Sequence, residues 1–232
     1  MNIPHVVGEP SILYLGTPVV LISTKNEDGS DNLGPMSSAF WLGWRCMLGL
    51  DASSKTTENL SRTGQCVLNL PSVENVGAVN RLARLTGKNP VPPWKQPLGY
   101  THEKNKFEIA GLTRVPSQTV EPSRALECPI HLEASVAAKH GLMEDDEAVR
   151  GAIVVFEVRI QRVHLHPGIL MNGNPDRIDP DKWRPLIMSF QRFYGLGDEL
   201  HDSILARIPE ESYRPLARIP ELALVSDDGS RS

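Results

Sequence analysis

The apolar positions of this chain fall into short runs that favour strands over helices. Val19-Val20-Leu21-Ile22-Ser23-Thr24 is rich in β-branched residues, and a polar stretch from Lys25 to Asp31 carrying Asp28-Gly29 follows it. That pattern predicts a strand and a hairpin turn. A second strand is expected from about Met36 to Trp41 and a third from Trp44 to Leu50, the three forming an antiparallel meander. Glu58 to Thr63 reads as a short helix closed by Gly64, and Cys66 to Leu70 as another strand. Beyond Pro71 and Ser72, the apolar residues Val76, Val79, Leu82 and Ala83 recur at helical spacing and predict a helix from Val73 to about Leu85.

The second half is less regular. Thr86 to Thr101 holds Pro90, Pro92, Pro93 and Pro97 with Trp94, and a loop of that length is usually functional or inserted. Leu126 to Val136 predicts a strand, His140 to Val149 an exposed acidic excursion, and Ala152 to Ile160 the strongest strand in the chain. A short apolar run from Pro185 to Phe190 leads into Arg192 to Gly197. Helical stretches broken by prolines are expected from Asp198 to Leu224, and a disordered tail from Ser226 to Ser232. A doubly wound parallel sheet needs a crossover helix between strands, and the first three strands have none. The expectation is therefore a mainly β protein, a closed or nearly closed antiparallel barrel in one domain.

Composition narrows the function classes. With 24 basic against 28 acidic residues the net charge is -4, which gives no electrostatic case for nucleic acid binding. Met1 to Pro10 has neither a basic nor a long apolar segment of the kind a signal peptide carries, and the longest apolar runs are strand-sized, so no membrane span is expected. Cys46, Cys66 and Cys128 are scattered singly, which suits buried thiols and a cytoplasmic location better than a disulfide framework or a zinc site.

Familiar catalytic motifs fail on inspection. Gly195-Leu196-Gly197 has Leu200 where a dinucleotide fingerprint needs a third glycine, and Gly87-Lys88 lacks the rest of a P-loop. His164 and His166 would share one strand face, but no third metal ligand is placed by the sequence. Two other stretches carry more. Ser53-Ser54-Lys55-Thr56-Thr57 puts hydroxyls and an ammonium between an apolar strand and a helix start, where unpaired N–H groups and the helix dipole favour an anion. Simple N-capping by Ser54 or Thr56 is the plainer alternative. The Ser37-Ser38 pair, within Pro35 to Phe40, would let a flat ligand approach a strand backbone.

The order of these features resembles the flavin reductase-like, FMN-binding split-barrel family. The most specific part is Lys55-Thr56-Thr57-Glu58-Asn59-Leu60, continuing through Arg62-Thr63-Gly64 to Asn69-Leu70-Pro71. The resemblance implies an FMN-binding split β-barrel with a few short helices, its core at about 12–197 and a C-terminal extension at 198–232. It implies that Ser54, Lys55 and Thr56 hold the FMN phosphate, and that Met36, Ser37, Ser38 and Ala39 meet the isoalloxazine edge. Leu50, Asp51 and Ala52 would line the cofactor, and Tyr194 would complete the site from either subunit of a homodimer. The implied activity is hydride transfer from NAD(P)H to flavin, with a non-enzymatic, flavoredoxin-like electron carrier as the alternative. A split barrel holding pyridoxal phosphate or haem is a further one. The sequence departs from the family between His140 and Gly151, where reductases often carry a Gly-Asp-His turn and this chain has none. Trp41, Trp44 and Trp94 are candidate interface aromatics, or ordinary core.

Overall fold

A computed structural model of the chain describes residues 5–213. Its centre is a seven-stranded antiparallel sheet. In chain order the strands are β1 (Val20–Lys25), β2 (Asp31–Met36), β3 (Ala39–Leu42), β4 (Arg45–Asp51), β5 (Gln65–Leu70), β6 (Ile130–Leu142) and β7 (Ile153–Leu165). They lie side by side as β2-β1-β5-β6-β7-β4-β3. The helices are α1 (Lys55–Thr63), α2 (Val76–Leu82) and α3 (Lys106–Ala110).

This order corrects the expected meander. Where one strand was expected from Met36 to Trp41 there are two, Asp31–Met36 and Ala39–Leu42, broken at Ser37-Ser38, and they form opposite edges of the sheet. The connectivity also dictates curvature. Seven flat strands would put their edges about 29 Å apart. Two connecting residues span at most about 11 Å between the flanking Cα atoms. The sheet must therefore coil until its two edges meet at Ser37-Ser38, as a split barrel does. Pro35, which cannot donate to a ladder, is accommodated because β2 is an edge strand.

Both faces of the first strand are buried, which explains its unbroken apolar run. Val20 and Ile22 join an inner core with Leu48, Leu68, Phe156 and Val158. Val19 and Leu21 join an outer core with Leu33, Leu82, Phe107 and Leu186. The outer core is roofed by α2 and α3, so the barrel carries a second layer on one side only.

Other boundaries shift for identifiable reasons. The helix expected from Val73 begins as a single 3₁₀ turn, Val73–Asn75, and α2 stops at Leu82. The next residues, Leu85–Thr86, leave the helix to pair in parallel with Thr101–His102. β6 starts after Pro129 and runs past Val136, because its pairing with β7 continues to Leu142 opposite Ile153. The exposed acidic excursion is correspondingly shorter. Leu15–Pro18 pairs with Ile187–Ser189, which pairs in turn with Arg192–Tyr194. Within the described part of the C-terminal extension, the helical pieces are short 3₁₀ turns, Ile204–Arg207 and Glu210–Tyr213. The expected tail from Ser226 to Ser232 lies outside the described residues.

Candidate functional site

A cavity of about 320 Å³ opens where α1 begins, between the barrel and its outer layer. Its barrel wall includes Gly34, Met36, Leu50, Asp51 and the turn Ser54-Lys55-Thr56. Tyr14, Gly87, Trp94, Lys95, Tyr100 and Lys106 come from the N-terminal segment and the outer layer. Six of the expected site residues thus share one cavity: Met36, Leu50, Asp51, Ser54, Lys55 and Thr56.

The other five do not line it. Ser37 and Ser38 sit at the corner between the sheet edges just beyond Met36, where Ser38 O accepts from Gly49 N at 2.9 Å. Ala39 is buried against the inner core. Ala52 faces a neighbouring cavity with Thr57, Glu58, Ser61, Lys139 and His140. Tyr194 is exposed on the hairpin opposite Ile187.

The helix start explains the polar cluster residue by residue. Ser54 is the N-cap, and its hydroxyl accepts from Thr57 N at 3.1 Å. Thr57 Oγ1 donates to Asp51 O at 2.7 Å, which ties the cap to the end of β4. Ser54 and Thr57 are therefore occupied with capping, while the first-turn N–H groups of Lys55 and Thr56 have no intrahelical acceptor. Thr56 Oγ1 accepts from Asn32 Nδ2 at 3.2 Å. Asn59 locks the helix onto β1 by donating to Thr24 Oγ1 at 3.1 Å and Asn26 Oδ1 at 2.9 Å.

Glycines permit the close approach of these parts. A Cβ on Gly34 would stand 2.8 Å from Thr56 Oγ1, and one on Gly87 would stand 2.6 Å from Asn32 Oδ1. Gly87 belongs to the outer layer, so its missing side chain is what lets that layer settle onto the α1 corner.

Charge is unevenly distributed here. Lys55 Nζ lies 2.7 Å from Glu27 Oε2 and 2.5 Å from Glu58 Oε1. Burial opposes its charge, but these two partners outweigh burial and raise its pKa. Glu58, bonded to Lys55 and also to Lys88, is held down at about 2. Lys95 pairs with Asp51 Oδ2 at 3.2 Å and lies over the Trp94 ring. Lys106 is buried, and burial first, then repulsion from Lys95, pushes its pKa down to about 8. Sequence inspection missed Lys95, Lys106, Asn32 and Gly87. The Pro-rich loop was the one signal that pointed toward this wall.

The histidine pair is used structurally. His164 Nε2 lies 2.7 Å from Glu133 Oε1, and His166 Nδ1 accepts from Gly168 N at 3.0 Å. Among the described residues no group of three or more potential ligands is placed to hold a metal. Nor is any described helix long and apolar enough to cross a membrane.

An antiparallel split barrel with an anion-receptive helix start at a small-molecule-sized cavity defines a class of ligand-binding barrel. The chain belongs to the flavin reductase-like family, whose domain model matches residues 13–197. It is 40% identical over 192 residues to the uncharacterized protein YdfE of Bacillus subtilis (strain 168), covering 83% of this chain and 89% of that protein. Its fold is similar to that of flavoredoxin of Desulfovibrio vulgaris (Miyazaki F), with a TM-score of 0.68 at 20% identity over 88% of this chain and 99% of the other. Nitrilotriacetate monooxygenase component B from Bacillus cereus superposes with a TM-score of 0.65 at 18% identity, over 82% and 89% of the two chains. Family membership implies a flavin as cofactor or substrate.

Proposed function

We propose that the cavity binds FMN and that the protein is an NAD(P)H-dependent oxidoreductase of the flavin reductase type. One observation carries this reading: the helix start at Ser54-Lys55-Thr56 opens into the same cavity as Met36, Leu50 and Asp51. The residues fit the group. Free first-turn N–H groups, the Thr56 hydroxyl and a lysine suit a dianionic phosphate. Met36 and Leu50, with Trp94 and Tyr100 from the outer layer, suit a flat aromatic system. The adjoining Ser37, Ser38, Ala39 and Ala52 would contact it at the barrel corner. Tyr194 would complete it from either subunit.

Flavin, when bound, supplies the hydride and electron chemistry itself. The protein's part is binding, orientation and exclusion of water. Ser54 holds the α1 start in shape, and Lys55 and Thr56 bear on the phosphate. Leu50 and Met36 keep the ring side apolar, and Trp94 and Tyr100 shield it from the solvent.

The absorbance spectrum of the purified protein, before and after adding FMN, tests the cofactor directly. A flavin spectrum that sharpens on binding supports the reading. Unchanged flavin affinity after joint Lys55→Ala and Thr56→Ala substitution overturns it. Stopped-flow mixing with NADH and NADPH separates a reductase from a carrier. The carrier reading draws support from the β6–β7 connection, which is exposed and has no Gly-Asp-His turn. Bleaching by neither nucleotide would select it.

We further propose a cytoplasmic homodimer with FMN at the subunit interface. Phe40, Leu42 and Trp44 leave an apolar surface on the β3–β4 hairpin, and all three cysteines are free thiols. Light scattering on a size-exclusion column checks the assembly, and a monomer would refute it.

A further inference from the structure

A second cavity, of about 620 Å³, lies on the other flank of α1. Ser54, Lys55 and Thr56 face the first cavity, whereas Thr57, Glu58 and Ser61 face this one. The two also adjoin at the end of β4, where Asp51 lines one and Ala52 the other. Ala52 N donates to Ala152 O at 2.9 Å, which ties the β6–β7 connection to that corner. A molecule seated here would lie beside whatever the first cavity holds, and the volume suits a nucleotide-sized ligand.

The charges around it differ in what they already hold. Glu58 is taken up by Lys55 and Lys88, so Lys88 is neutralised in turn. Glu144 folds back over Gly141, where any Cβ would collide with its carboxylate. Lys139 is different, for among the described residues it has no carboxylate partner. Its ammonium donates to Ser61 Oγ at 3.3 Å and stands 5.8 Å from the centre of the Phe156 ring. Phe156 is buried and pairs with Lys139 across the β6–β7 ladder, so the ring gives the lysine stem a fixed bed. An uncommitted ammonium from β6 and a hydroxyl from α1 thus converge on one wall. His140 lines the cavity next to them.

We infer that this second cavity seats the adenosine end of the nicotinamide dinucleotide, that Lys139 with Ser61 and His140 grips a 2′-phosphate there, and that the protein therefore selects NADPH over NADH. This rests on the reductase reading above and deepens it. The two nucleotides differ only in that phosphate, a dianion remote from the nicotinamide ring. Discrimination needs a cation free to meet the phosphate, and charge-assisted hydrogen bonds of this kind are the strong ones. Of the two lysines in this cavity, Lys88 is held by Glu58, and Lys139 is the one open to an incoming anion.

Titration calorimetry of the FMN-loaded protein with 2′,5′-ADP and 5′-AMP reads the phosphate without turnover. Wild type should bind 2′,5′-ADP at least about tenfold more tightly than 5′-AMP, the worth of a hydrogen bond to a charged group. Lys139→Met should remove most of that preference and leave 5′-AMP within about threefold. Lys139→Arg should keep it. Lys139 is exposed, and methionine retains an apolar stem over Phe156, so the variant should fold. Stopped-flow bleaching gives a second readout: Lys139→Met should shift the ratio of half-saturating NADPH to NADH at least about tenfold against NADPH. A preference for 2′,5′-ADP that survives Lys139→Met overturns the inference, as does equal binding of the two probes by wild type. Bleaching by NADH in preference to NADPH sinks this inference alone, whereas bleaching by neither sinks the reductase reading with it.

Discussion

The two walls of the cavity are built on different principles. The barrel wall is held by regular ladders: β4 pairs with β7 from Arg45 to Asp51, and the Ser54 cap follows directly. The covering wall, from Leu82 to Lys106, has almost no ladder. Its order comes from one two-residue parallel pair, a 3₁₀ turn at Pro93–Lys95 and the burial of Phe107. The barrel wall thus supplies geometry through hydrogen bonds. The covering wall supplies charge and aromatic surface through packing. A site divided this way can vary its specificity on one side without disturbing its frame.

The largest effect should come from removing the anchor of the covering wall. Phe107 is fully buried beside Leu33 and Leu82. Phe107→Ala should cost about 3–5 kcal/mol in urea denaturation. If the walls are separable, hydrogen exchange should rise across residues 85–110 while β6 and β7 stay protected. Equal loss of protection in both would show that the layers unfold as one unit.

Lys106→Met should act in the opposite direction. A lysine whose pKa falls from 10.5 to about 8 on folding binds fewer protons in the folded state between those values. The resulting penalty is complete below pH 8 and disappears as pH rises toward 10.5. The variant should therefore be more stable than wild type by about 3 kcal/mol at neutral pH. Its advantage should vanish across that alkaline window. Thermal melts at a series of pH values would show it. A flat difference from pH 7 to pH 10.5 would mean that folding leaves the pKa of this lysine unshifted. Stability gained by discarding a ligand-binding group is the usual trade at such sites.

Gly87 is where the walls touch, and Gly87→Ala probes the contact. The added Cβ meets Asn32 Oδ1 at 2.6 Å and Lys55 Cγ at 3.0 Å, both on the barrel side. The expected cost is about 1–3 kcal/mol by denaturation, from overpacking. Flavin affinity should fall with it, since Asn32 links Thr56 to Lys106. Unaltered affinity at reduced stability would show that the walls position the ligand independently.

The same division explains what the sequence revealed. Strand positions, the Asp28-Gly29 turn, the α1 start and the Gly64 stop are set by residues within a few positions of each other, so they could be read locally. Gly64 indeed ends α1 with φ 67°. The break at Ser37-Ser38 was hidden because edge strands on opposite sides of a barrel look like one continuous strand when the chain links them by two residues. Lys106 was hidden for a different reason. On paper it is an ordinary lysine in Lys104-Asn105-Lys106, and only the packing of Phe107 and Ala110 reveals that it is buried. Asn59 and Asn69 were legible as motif members, yet their hydrogen bonds serve the frame.

The smallest effect concerns the charge already shared on the barrel wall. Glu27 is 54% exposed and shares Lys55 with Glu58. Glu27→Gln removes one surface charge partner, and the stability change should stay below about 1 kcal/mol, as for exposed ion pairs generally. Its effect on FMN binding is the sharper reading. With one carboxylate fewer, the raised pKa of Lys55 should relax, and its ammonium should become more available to a phosphate. FMN should then bind a few-fold tighter while riboflavin is unchanged, an increment of roughly 1 kcal/mol or less. Salt should erase the gain, because the group lies near solvent. A gain that persists in high salt would mean that Lys55 meets the ligand away from solvent, inside the contact between the walls.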